Sequence, residues 1–305
     1  MSESIGIVGG GALGTLFAAV LAPHYRVRLV VHAEADRQAI RARGGVSIDA
    51  GHPYAVDVTT NIQELANVAI LFVAVKTFDT LSALEPLGAL LDDESIVVTL
   101  QNGVDNDLRI RAAGIANESI VLAPTSEAAF RTAPGIVTRV GVGSTMLGFA
   151  ENSRAGAVAD VLDCFRSGGL AARIVEDIDA YVWAKLIINA AINPVTALAG
   201  ATNEIVLRDH AAHERAVELA REAMAVALAH GIDLPFDDPV AAFEAVARTT
   251  AANRSSMLID LTRGGPTEID AINGAIVAHG AKLGVPTPRN AEIVAAIHKQ
   301  SGNRG

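Results

Sequence analysis

The first half of the chain alternates short, nearly continuous apolar runs with longer segments of helical periodicity. The runs are rich in β-branched residues and too short for ordinary helices, so they predict buried strands, whereas the segments between them predict helices. Strand, helix and strand in succession are typical of a parallel sheet with right-handed crossovers. The predicted strands are 5–8, 27–31, 68–75, 96–100 and 120–122, and the predicted helices are 13–21, 35–43 and 81–91.

The pattern changes near the middle of the chain. Two apolar runs that flank Gly143-Ser144 predict a β-hairpin, and a helix and a short strand follow it. These four segments are 137–142, 145–149, 154–165 and 173–175. Beyond about residue 178 only helical periodicity remains, in the segments 181–199, 210–230, 239–254 and 270–283. The sequence therefore predicts an α/β domain over residues 1–177 and an all-helical domain over residues 178–305.

Composition limits the classes of protein that fit this pattern. With 305 residues, of which 50% are hydrophobic and 19% charged, the chain is long and apolar enough for two folded domains. A net charge of −10, without a run of Lys and Arg, makes nucleic acid and anionic membranes poor partners. The single cysteine, Cys164, excludes an intramolecular disulfide, and the histidines lack metal-ligand spacing, so no metal is expected. Without a signal-peptide pattern or an apolar run of about 20 residues, we expect a cytoplasmic protein.

A glycine-rich segment follows the first predicted strand directly and opens an apolar helix. Its sequence is Gly9-Gly10-Gly11-Ala12-Leu13-Gly14, which we call the glycine loop. In a G-x-G-x-x-G motif the first glycine allows a tight turn, the second lets a pyrophosphate approach the backbone, and the third lets helix and strand pack closely. The helix N-terminus then offers N–H groups to the phosphates. A purely structural turn is the alternative, but this context favours a Rossmann-type dinucleotide-binding domain.

The choice of dinucleotide depends on the end of the second strand. Folds that bind NAD usually place Asp or Glu there, about 20 residues after the glycines, to accept the ribose hydroxyls. Here the strand ends at His32, and Glu34 comes later, in the loop. His32 and Arg37 can instead face a 2′-phosphate, which favours NADP over NAD. The alternative is that both side chains are only solvated.

A second group of polar residues lies in the helical half of the chain. Lys185, Asn189 and Asn193 recur every four residues, so they share one face of an otherwise apolar helix. Burying these side chains costs free energy unless they bind polar partners. The alternative to a buried polar site is a stripe of polar side chains on the protein surface. Farther along, Thr267-Glu268 has the pattern of a helix start, and Glu268 is equally a candidate carboxylate partner for Lys185.

Segments in a fixed order along nearly the whole chain resemble one known family. The matching segments are 9–14, 75–80, 101–103, 185–196, 255–260, 266–273 and 284–288. Together they resemble the ketopantoate reductase (2-dehydropantoate 2-reductase) family. The resemblance implies a Rossmann domain, a helical domain and a cleft between them. It also implies NADPH-dependent reduction of 2-dehydropantoate to (R)-pantoate, on the route to pantothenate and coenzyme A.

The resemblance also implies roles for individual residues. Lys185 matches the general acid of the family, with Glu268 as the second catalytic residue. The substrate-binding residues are Lys185, Asn189, Asn193, Asn203 and Ser256, of which Ser256 matches the serine that meets the substrate carboxylate. With the glycine loop, the cofactor-binding residues are Gly9, Gly10, Gly11, Ala12, Leu13, Gly14, His32, Arg37, Lys76, Asn102, Ala128 and Glu268. His32 stands where the family often has Arg, and Gly264-Gly265-Pro266 replaces the commoner Gly-Arg-Pro.

Two alternative functions remain open at this level. The nearer one is a related D-2-hydroxyacid dehydrogenase that acts on another branched or aromatic 2-oxo acid, since the side chains lining a cleft decide the substrate. The more distant one is an NADPH-binding sensor without turnover, although a sensor has no use for a proton donor such as Lys185. In each enzymatic case the partner is a small-molecule 2-oxo acid, and a homodimer is compatible with the sequence.

Overall fold

The computed structural model of the protein describes residues 4–49, 51–92, 94–116, 120–149 and 155–302. The chain divides into two compact units. The first consists of Met1–Gln101 and Asp105–Ile178, and the second of Asn102–Val104 and Asp179–Gly305. An α/β unit followed by a helical unit is the order that the sequence predicts. The sequence pattern does not predict that the short segment Asn102–Val104 belongs to the second unit.

All strands that the structure describes lie in the first unit. They are β1 (Ser4–Val8), β2 (Arg26–Val30), β3 (Ser47–Ile48), β4 (Asp57–Thr59), β5 (Ile70–Val73), β6 (Ile96–Thr99), β7 (Ile120–Leu122), β8 (Ala128–Ala133), β9 (Ile136–Gly141), β10 (Ser144–Phe149) and β11 (Ala171–Ile174). They form an eight-stranded sheet of order β11-β10-β7-β6-β5-β1-β2-β4 and a three-stranded sheet of order β3-β9-β8.

The larger sheet is mainly parallel. Neighbouring strands from β4 to β7 pair in parallel, whereas β10 pairs antiparallel with β7. Strands β5 and β6 are buried along their whole length, which explains why their sequences are continuous apolar runs rather than alternating ones. The predicted parallel sheet is therefore confirmed.

Helices of the first unit cover this sheet. They are α1 (Ala12–Leu21), α2 (Glu34–Arg43), α3 (Thr80–Gly88), α4 (Asn106–Ala112) and α5 (Ala155–Ser167). The core under them contains an aromatic cluster in which the Phe17 ring lies 5.6 Å from that of Phe72 and 5.3 Å from that of Phe165, centroid to centroid. The first contact is tilted and the second edge-on, and such contacts add to the stabilisation that burial alone provides.

One predicted element of the first unit is wrong. The hairpin expected around Gly143-Ser144 is absent from the described chain, because β9 pairs with β8 in the small sheet while β10 joins the large one. The real hairpin, β8–β9, turns at Gly135, whose φ of 71° is left-handed. Gly143 instead marks a close approach of two backbones, since a Cβ there would lie 2.2 Å from the carbonyl carbon of Ser126.

The second unit is helical throughout the described residues. Its helices are α6 (Ile178–Ala199), α7 (Ile205–Arg208), α8 (His210–Ala229), α9 (Pro239–Thr249), α10 (Ser256–Thr262), α11 (Ile269–Leu283) and α12 (Pro288–Gly302). Their boundaries follow local signals: Asp209 and Asp238 cap α8 and α9 by accepting hydrogen bonds from backbone N–H groups, and Gly284 ends α11 with a left-handed φ of 71°. The four long helices predicted here are confirmed, and α9 ends at Thr249 rather than 254.

Helix α6 is the core helix of the second unit. By length and composition it is the one helix in the described part of the chain that could cross a membrane, yet 67% of its apolar stretch is buried inside the protein. Leu186, Ile187 and Ile192 are each at most 3% exposed and pack against residues of the other helices. A buried helix of this kind is apolar because it is surrounded by protein.

Candidate active site

The glycine loop lies at the point where the strand order of the large sheet reverses. From β1 the chain runs outward through β2 to β4, and it then returns to form β5 on the opposite side of β1. The loop leaves β1 after Val8, and the Gly9 N–H donates to the Val30 carbonyl at 3.1 Å. In open α/β sheets, ligands bind outside the carboxyl ends of the strands at such a switch point.

The glycines of the loop divide into two kinds. Gly9 has a φ of 114°, and a Cβ on Gly14 would lie 1.9 Å from the Gly9 carbonyl oxygen, so the fold itself requires both. A Cβ on Gly10 would lie 2.5 Å from Val31 Cγ1. A Cβ on Gly11, in contrast, would meet no atom within 4 Å. The space beside Gly11 is therefore open, as a backbone that cradles a pyrophosphate requires.

The start of α1 adds the second feature of a phosphate site. Gly11 is the N-cap of α1 and offers no side chain to the N–H groups of the first turn, where Ala12 and Leu13 follow. Such N–H groups, together with the helix dipole, attract an anion. The loop thus fits a dinucleotide by its backbone, its open space and its helix N-terminus.

Lys76 lies at the same edge of the sheet as the glycine loop. It follows β5, which is the parallel neighbour of β1, and it precedes a single helical turn, Thr77–Asp79. Gln101, at the end of β6, holds this segment by donating from Nε2 to the Val75 carbonyl at 2.9 Å and to Thr80 Oγ1 at 2.7 Å. The sequence places Gln101 in a matching segment, but only the structure shows that it fixes the backbone on either side of Lys76.

The residues after β2 form an ion pair and hydrogen bonds among themselves. His32 is exposed. Arg37 donates to both carboxylate oxygens of Glu34, with an Nε–Oε2 distance of 2.7 Å, and Gln38 donates to the same carboxylate at 3.0 Å. Hydrogen bonds from Arg37 and then Gln38 lower the pKa of Glu34 to about 2. Arg37 is therefore neither an isolated cation nor merely solvated.

Ala128, the remaining cofactor-side residue of the first unit, is the first residue of β8. It pairs with Gly141 of β9, and β8 lies close to α1, the helix that the glycine loop opens. The segment that the sequence treats as a loosely matching loop, 125–131, is thus a strand from Ala128 onward.

The polar residues of the second unit are organised by α6. Lys185, Asn189 and Asn193 lie in one helix at intervals of four residues, so they form one polar face. Asn193 is only 8% exposed. Burial lowers the pKa of Lys185 to about 8, and the negative charge of Glu268 raises it part of the way back. Asn193 is buried and Lys185 and Asn189 are half-buried, so this face is not a fully solvated surface stripe.

Glu268 lies at a helix start, as one interpretation of its sequence context predicts, and its negative charge acts on Lys185. It stands at the start of α11, where the Ile269 N–H donates to Thr267 Oγ1 at 3.4 Å. Glu268 is 6% exposed, and Asn102 Nδ2 donates a hydrogen bond to Glu268 Oε2 at 3.2 Å. Asn102 and Glu268 both belong to the second unit, so the carboxylate that acts on Lys185 is oriented within that unit.

Asn203 and Ser256 have different surroundings. Asn203 is 8% exposed, its Nδ2 donates to Thr250 Oγ1 at 2.9 Å, and its buried Oδ1 has no hydrogen-bond partner among the described residues. That oxygen can accept a hydrogen bond from a hydroxyl group. Ser256, the first residue of α10, is exposed. Thr250 is a neighbour that no motif in the sequence indicates.

The candidate residues fall into one group in each unit. The first unit holds the glycine loop with His32, Arg37, Lys76 and Ala128, and the second holds Asn102, Lys185, Asn189, Asn193, Asn203, Ser256 and Glu268. Within the first unit the groups at the ends of β1, β2 and β5 share one sheet edge. A backbone site for an anion and a side-chain site with a half-buried lysine are the two parts that a dinucleotide-dependent reductase needs.

Comparison with known proteins agrees with this division. Residues 5–152 match the family described as "Ketopantoate reductase PanE/ApbA", and residues 177–301 match "Ketopantoate reductase PanE/ApbA C terminal". A 2-dehydropantoate 2-reductase of Pyrococcus abyssi is 31% identical over 287 residues, which cover 93% of each chain.

Two solved structures with the same fold are a ketopantoate reductase and a D-mandelate dehydrogenase. A PanE/ApbA family ketopantoate reductase from Ralstonia eutropha JMP134 has a TM-score of 0.89 at 27% identity, with 99% of each chain covered. D-mandelate dehydrogenase in a ternary structure with NADH and anilino(oxo)acetate has a TM-score of 0.92 at 24% identity, with 99% of each chain covered, which shows a shared fold. Because family matches span both units and the relative spans nearly the whole chain, this protein is an oxidoreductase that belongs to the ketopantoate reductase family.

Proposed function

We propose that this protein reduces 2-dehydropantoate to (R)-pantoate with NADPH as the hydride donor, in the cytoplasm. The observation that carries the proposal is Lys185, whose pKa burial lowers to about 8 on the polar face that it shares with Asn189 and Asn193. A lysine with a pKa near neutrality is suited to proton transfer. Membership of the ketopantoate reductase family supports the choice of substrate.

The glycine loop is the proposed site for the pyrophosphate of the cofactor. The open space beside Gly11 and the N–H groups at the start of α1 support this assignment. The reduced nicotinamide, when bound, supplies the hydride. Lys76 and Asn102 are proposed to contact the cofactor, and Ala128 to border it, as in the family that the chain resembles.

NADPH is proposed over NADH because of the residues after β2. The acidic residue that normally accepts the ribose hydroxyls is missing at the end of this strand. Glu34, the nearest carboxylate in sequence, already accepts hydrogen bonds from Arg37 and Gln38. A 2′-phosphate can compete with Glu34 for the Arg37 guanidinium, and His32 lies close by in sequence.

Lys185 is the proposed general acid. As hydride reaches the 2-oxo carbon, negative charge grows on the carbonyl oxygen, and an ammonium group can stabilise this charge and then donate its proton. With a pKa of about 8, Lys185 is mostly protonated at neutral pH. Glu268 favours that protonated form, and Asn102 orients the Glu268 carboxylate.

The neutral amides and hydroxyls of the second unit are proposed to orient the substrate. Asn189 and Asn193 present their amides on the same face as Lys185, so they can bind substrate oxygens without adding charge. The Oδ1 of Asn203, which has no hydrogen-bond partner in the described part of the chain, suits a substrate hydroxyl, which 2-dehydropantoate carries. Ser256 is proposed to bind the carboxylate.

Steady-state oxidation of NADPH and NADH tests this function, with 2-dehydropantoate and a panel of branched and aromatic 2-oxo acids as substrates. We expect the highest kcat/KM with 2-dehydropantoate and NADPH. A higher kcat/KM with an aromatic 2-oxo acid would make the protein a D-2-hydroxyacid dehydrogenase of another specificity. Binding of NADPH without turnover of any panel member would make it a sensor.

A further inference from the structure

Helix α6 contains a proline directly after one of its proposed substrate-binding residues. Pro194 has no N–H group, so it cannot donate the helical hydrogen bond that the carbonyl of Ala190, four residues earlier, would otherwise accept. Ala190 is completely buried, so water does not reach its carbonyl. A buried carbonyl without a donor is costly, and a side chain must therefore supply one.

Asn273 of α11 supplies that donor. Its Nδ2 lies 3.1 Å from the Ala190 carbonyl oxygen and 2.9 Å from Asn290 Oδ1, so both N–H bonds of the amide are used. Asn273 is 0% exposed. One of the two N–H donors of this buried amide thus replaces the helical hydrogen bond that Pro194 cannot donate to Ala190.

The orientation of this amide follows from a chain of hydrogen bonds that ends at a carboxylate. Glu222 of α8 accepts hydrogen bonds from the backbone N–H groups of Arg289 and Asn290, each at 2.9 Å, and from Asn290 Nδ2 at 2.8 Å. Since a carboxylate only accepts, the amide of Asn290 must direct its Oδ1 to Asn273. Asn273 in turn must direct its NH₂ group to Ala190.

The backbone is also held at the residue directly before the proline. The Asn193 carbonyl accepts hydrogen bonds from Thr196 Oγ1 at 2.9 Å and from Ser255 Oγ at 3.4 Å, and these two hydroxyl oxygens lie 2.7 Å apart. Asn189 and Asn193 therefore stand on a stretch of helix whose interrupted backbone is tied to other helices by side chains. Their positions depend on those ties.

We propose that Asn273 is a positioning residue for the reductase reaction: by completing the hydrogen bonding of Ala190, it fixes the part of α6 that presents Asn189 and Asn193 to the substrate. The inference rests on the proposed function for the identity of the substrate. Asn273 itself touches neither substrate nor reacting atoms in this assignment. Its effect passes through the backbone of α6, and Pro194 is what makes it necessary.

The proposal predicts that Asn273 is no longer needed when residue 194 has an N–H group that can donate to the Ala190 carbonyl. The variants are Asn273→Leu, which keeps the size but removes the donor, Pro194→Ala, which returns an N–H to the helix, and the double variant. We expect Asn273→Leu to raise KM for 2-dehydropantoate and lower kcat/KM by about tenfold or more, since small misplacements of binding groups are costly. NADPH affinity, measured by fluorescence titration, should remain that of the wild type. The double variant should regain kcat/KM to within about threefold of Pro194→Ala.

Each other outcome contradicts the proposal. If folded Asn273→Leu melts at a lower temperature but keeps the kcat and KM of the wild type, Asn273 only stabilises the unit. If the double variant is as impaired as Asn273→Leu, the lost bond to Ala190 is not the cause. If Asn273→Leu fails to fold, the test is the comparison of the double variant with Pro194→Ala. A kcat/KM about tenfold lower in the double variant than in Pro194→Ala would overturn the proposal.

Wild-type turnover in the same assay separates this inference from the proposed function. If the wild type reduces a different 2-oxo acid, the same variant series with that acid tests Asn273 unchanged. If the wild type reduces none, the proposed function fails and Asn273 has no reaction to position.

Discussion

The glycine loop of the first unit and the polar face of α6 in the second are built from different parts of the chain. The loop is one hexapeptide, and its fit to a ligand comes from backbone geometry and open space beside Gly11. The polar face depends on side chains whose partners are distant in sequence: Asn102 and Glu268, for example, are separated by 166 positions. A backbone site can therefore be recognised locally, whereas the chemistry of the side-chain site emerges only when the helices pack.

The sharpest test of the side-chain site is removal of its lysine. Lys185→Ala should lower kcat for reduction by about 10²–10⁴, the usual cost of losing a general acid. The affinity for NADPH, measured by fluorescence titration, should be kept, because the glycine loop belongs to the other unit. Lys185→Arg should not restore kcat fully, since a guanidinium keeps the charge but does not readily release a proton. A kcat for Lys185→Ala within about threefold of the wild type would show that another group donates the proton.

The backbone site is tested by two glycines that look alike in sequence. Gly11→Val should weaken NADPH binding by about 10- to 100-fold, because the side chain enters the open space, while the melting temperature changes little. Gly14→Ala is the matched control. Its Cβ would lie 1.9 Å from the Gly9 carbonyl oxygen, so we expect a lower melting temperature. Unchanged NADPH binding by folded Gly11→Val would remove the loop from the cofactor site.

The pH dependence of reduction tests the electrostatics around Lys185. Its pKa of about 8 predicts that kcat is highest below this pH and falls as the pH rises through it, because the general acid loses its proton. The charge of Glu268 raises that pKa, so Glu268→Gln should move the fall to lower pH. Lys185→Arg serves as the control, since its residual activity should show no such fall. An unshifted pH profile in Glu268→Gln would contradict the coupling of the two residues.

The smallest expected effect concerns cofactor preference. Arg37→Ala should weaken NADPH binding by about fivefold and leave NADH binding nearly unchanged, as expected for one partly exposed charge contact. Glu34→Gln removes the negative competitor for Arg37 and should have the opposite effect on NADPH. Dissociation constants of both nucleotides for the two variants measure this. Equal losses for NADPH and NADH in Arg37→Ala would place the 2′-phosphate elsewhere.

Most elements of the fold follow from local patterns in the sequence. The buried strands have continuous apolar runs, and the helices have caps such as Asp209, so their predicted positions are close to the observed ones. The hairpin at Gly143 fails for a physical reason. A glycine serves a turn and a close backbone approach equally well, and only the tertiary contact with Ser126 distinguishes them.

The candidate site could be predicted in part. The spacing of Lys185, Asn189 and Asn193 predicts the polar face, and the structure adds that Asn193 is buried and the other two are half-buried. The Glu34–Arg37 pair has the i,i+3 spacing of helix ion pairs, so its sequence spacing is itself a signal for this contact. The role of Asn273 could not be predicted, because its partner is a backbone carbonyl on another helix. Every residue has a backbone carbonyl, so the sequence does not indicate which one accepts the hydrogen bond.

Asn102–Val104 lies within the stretch of chain that builds the first unit but packs with the second, which limits how such enzymes can be recombined. Val104 is 3% exposed in the core of the helical unit, and a Cβ on Gly103 would lie 2.5 Å from the Ala271 carbonyl oxygen. A chimaera of two relatives joined only near residue 178 would combine this segment from one parent with α11 from the other. The three residues therefore have to be inherited with the helical unit, so an active hybrid requires a graft at two places in the gene.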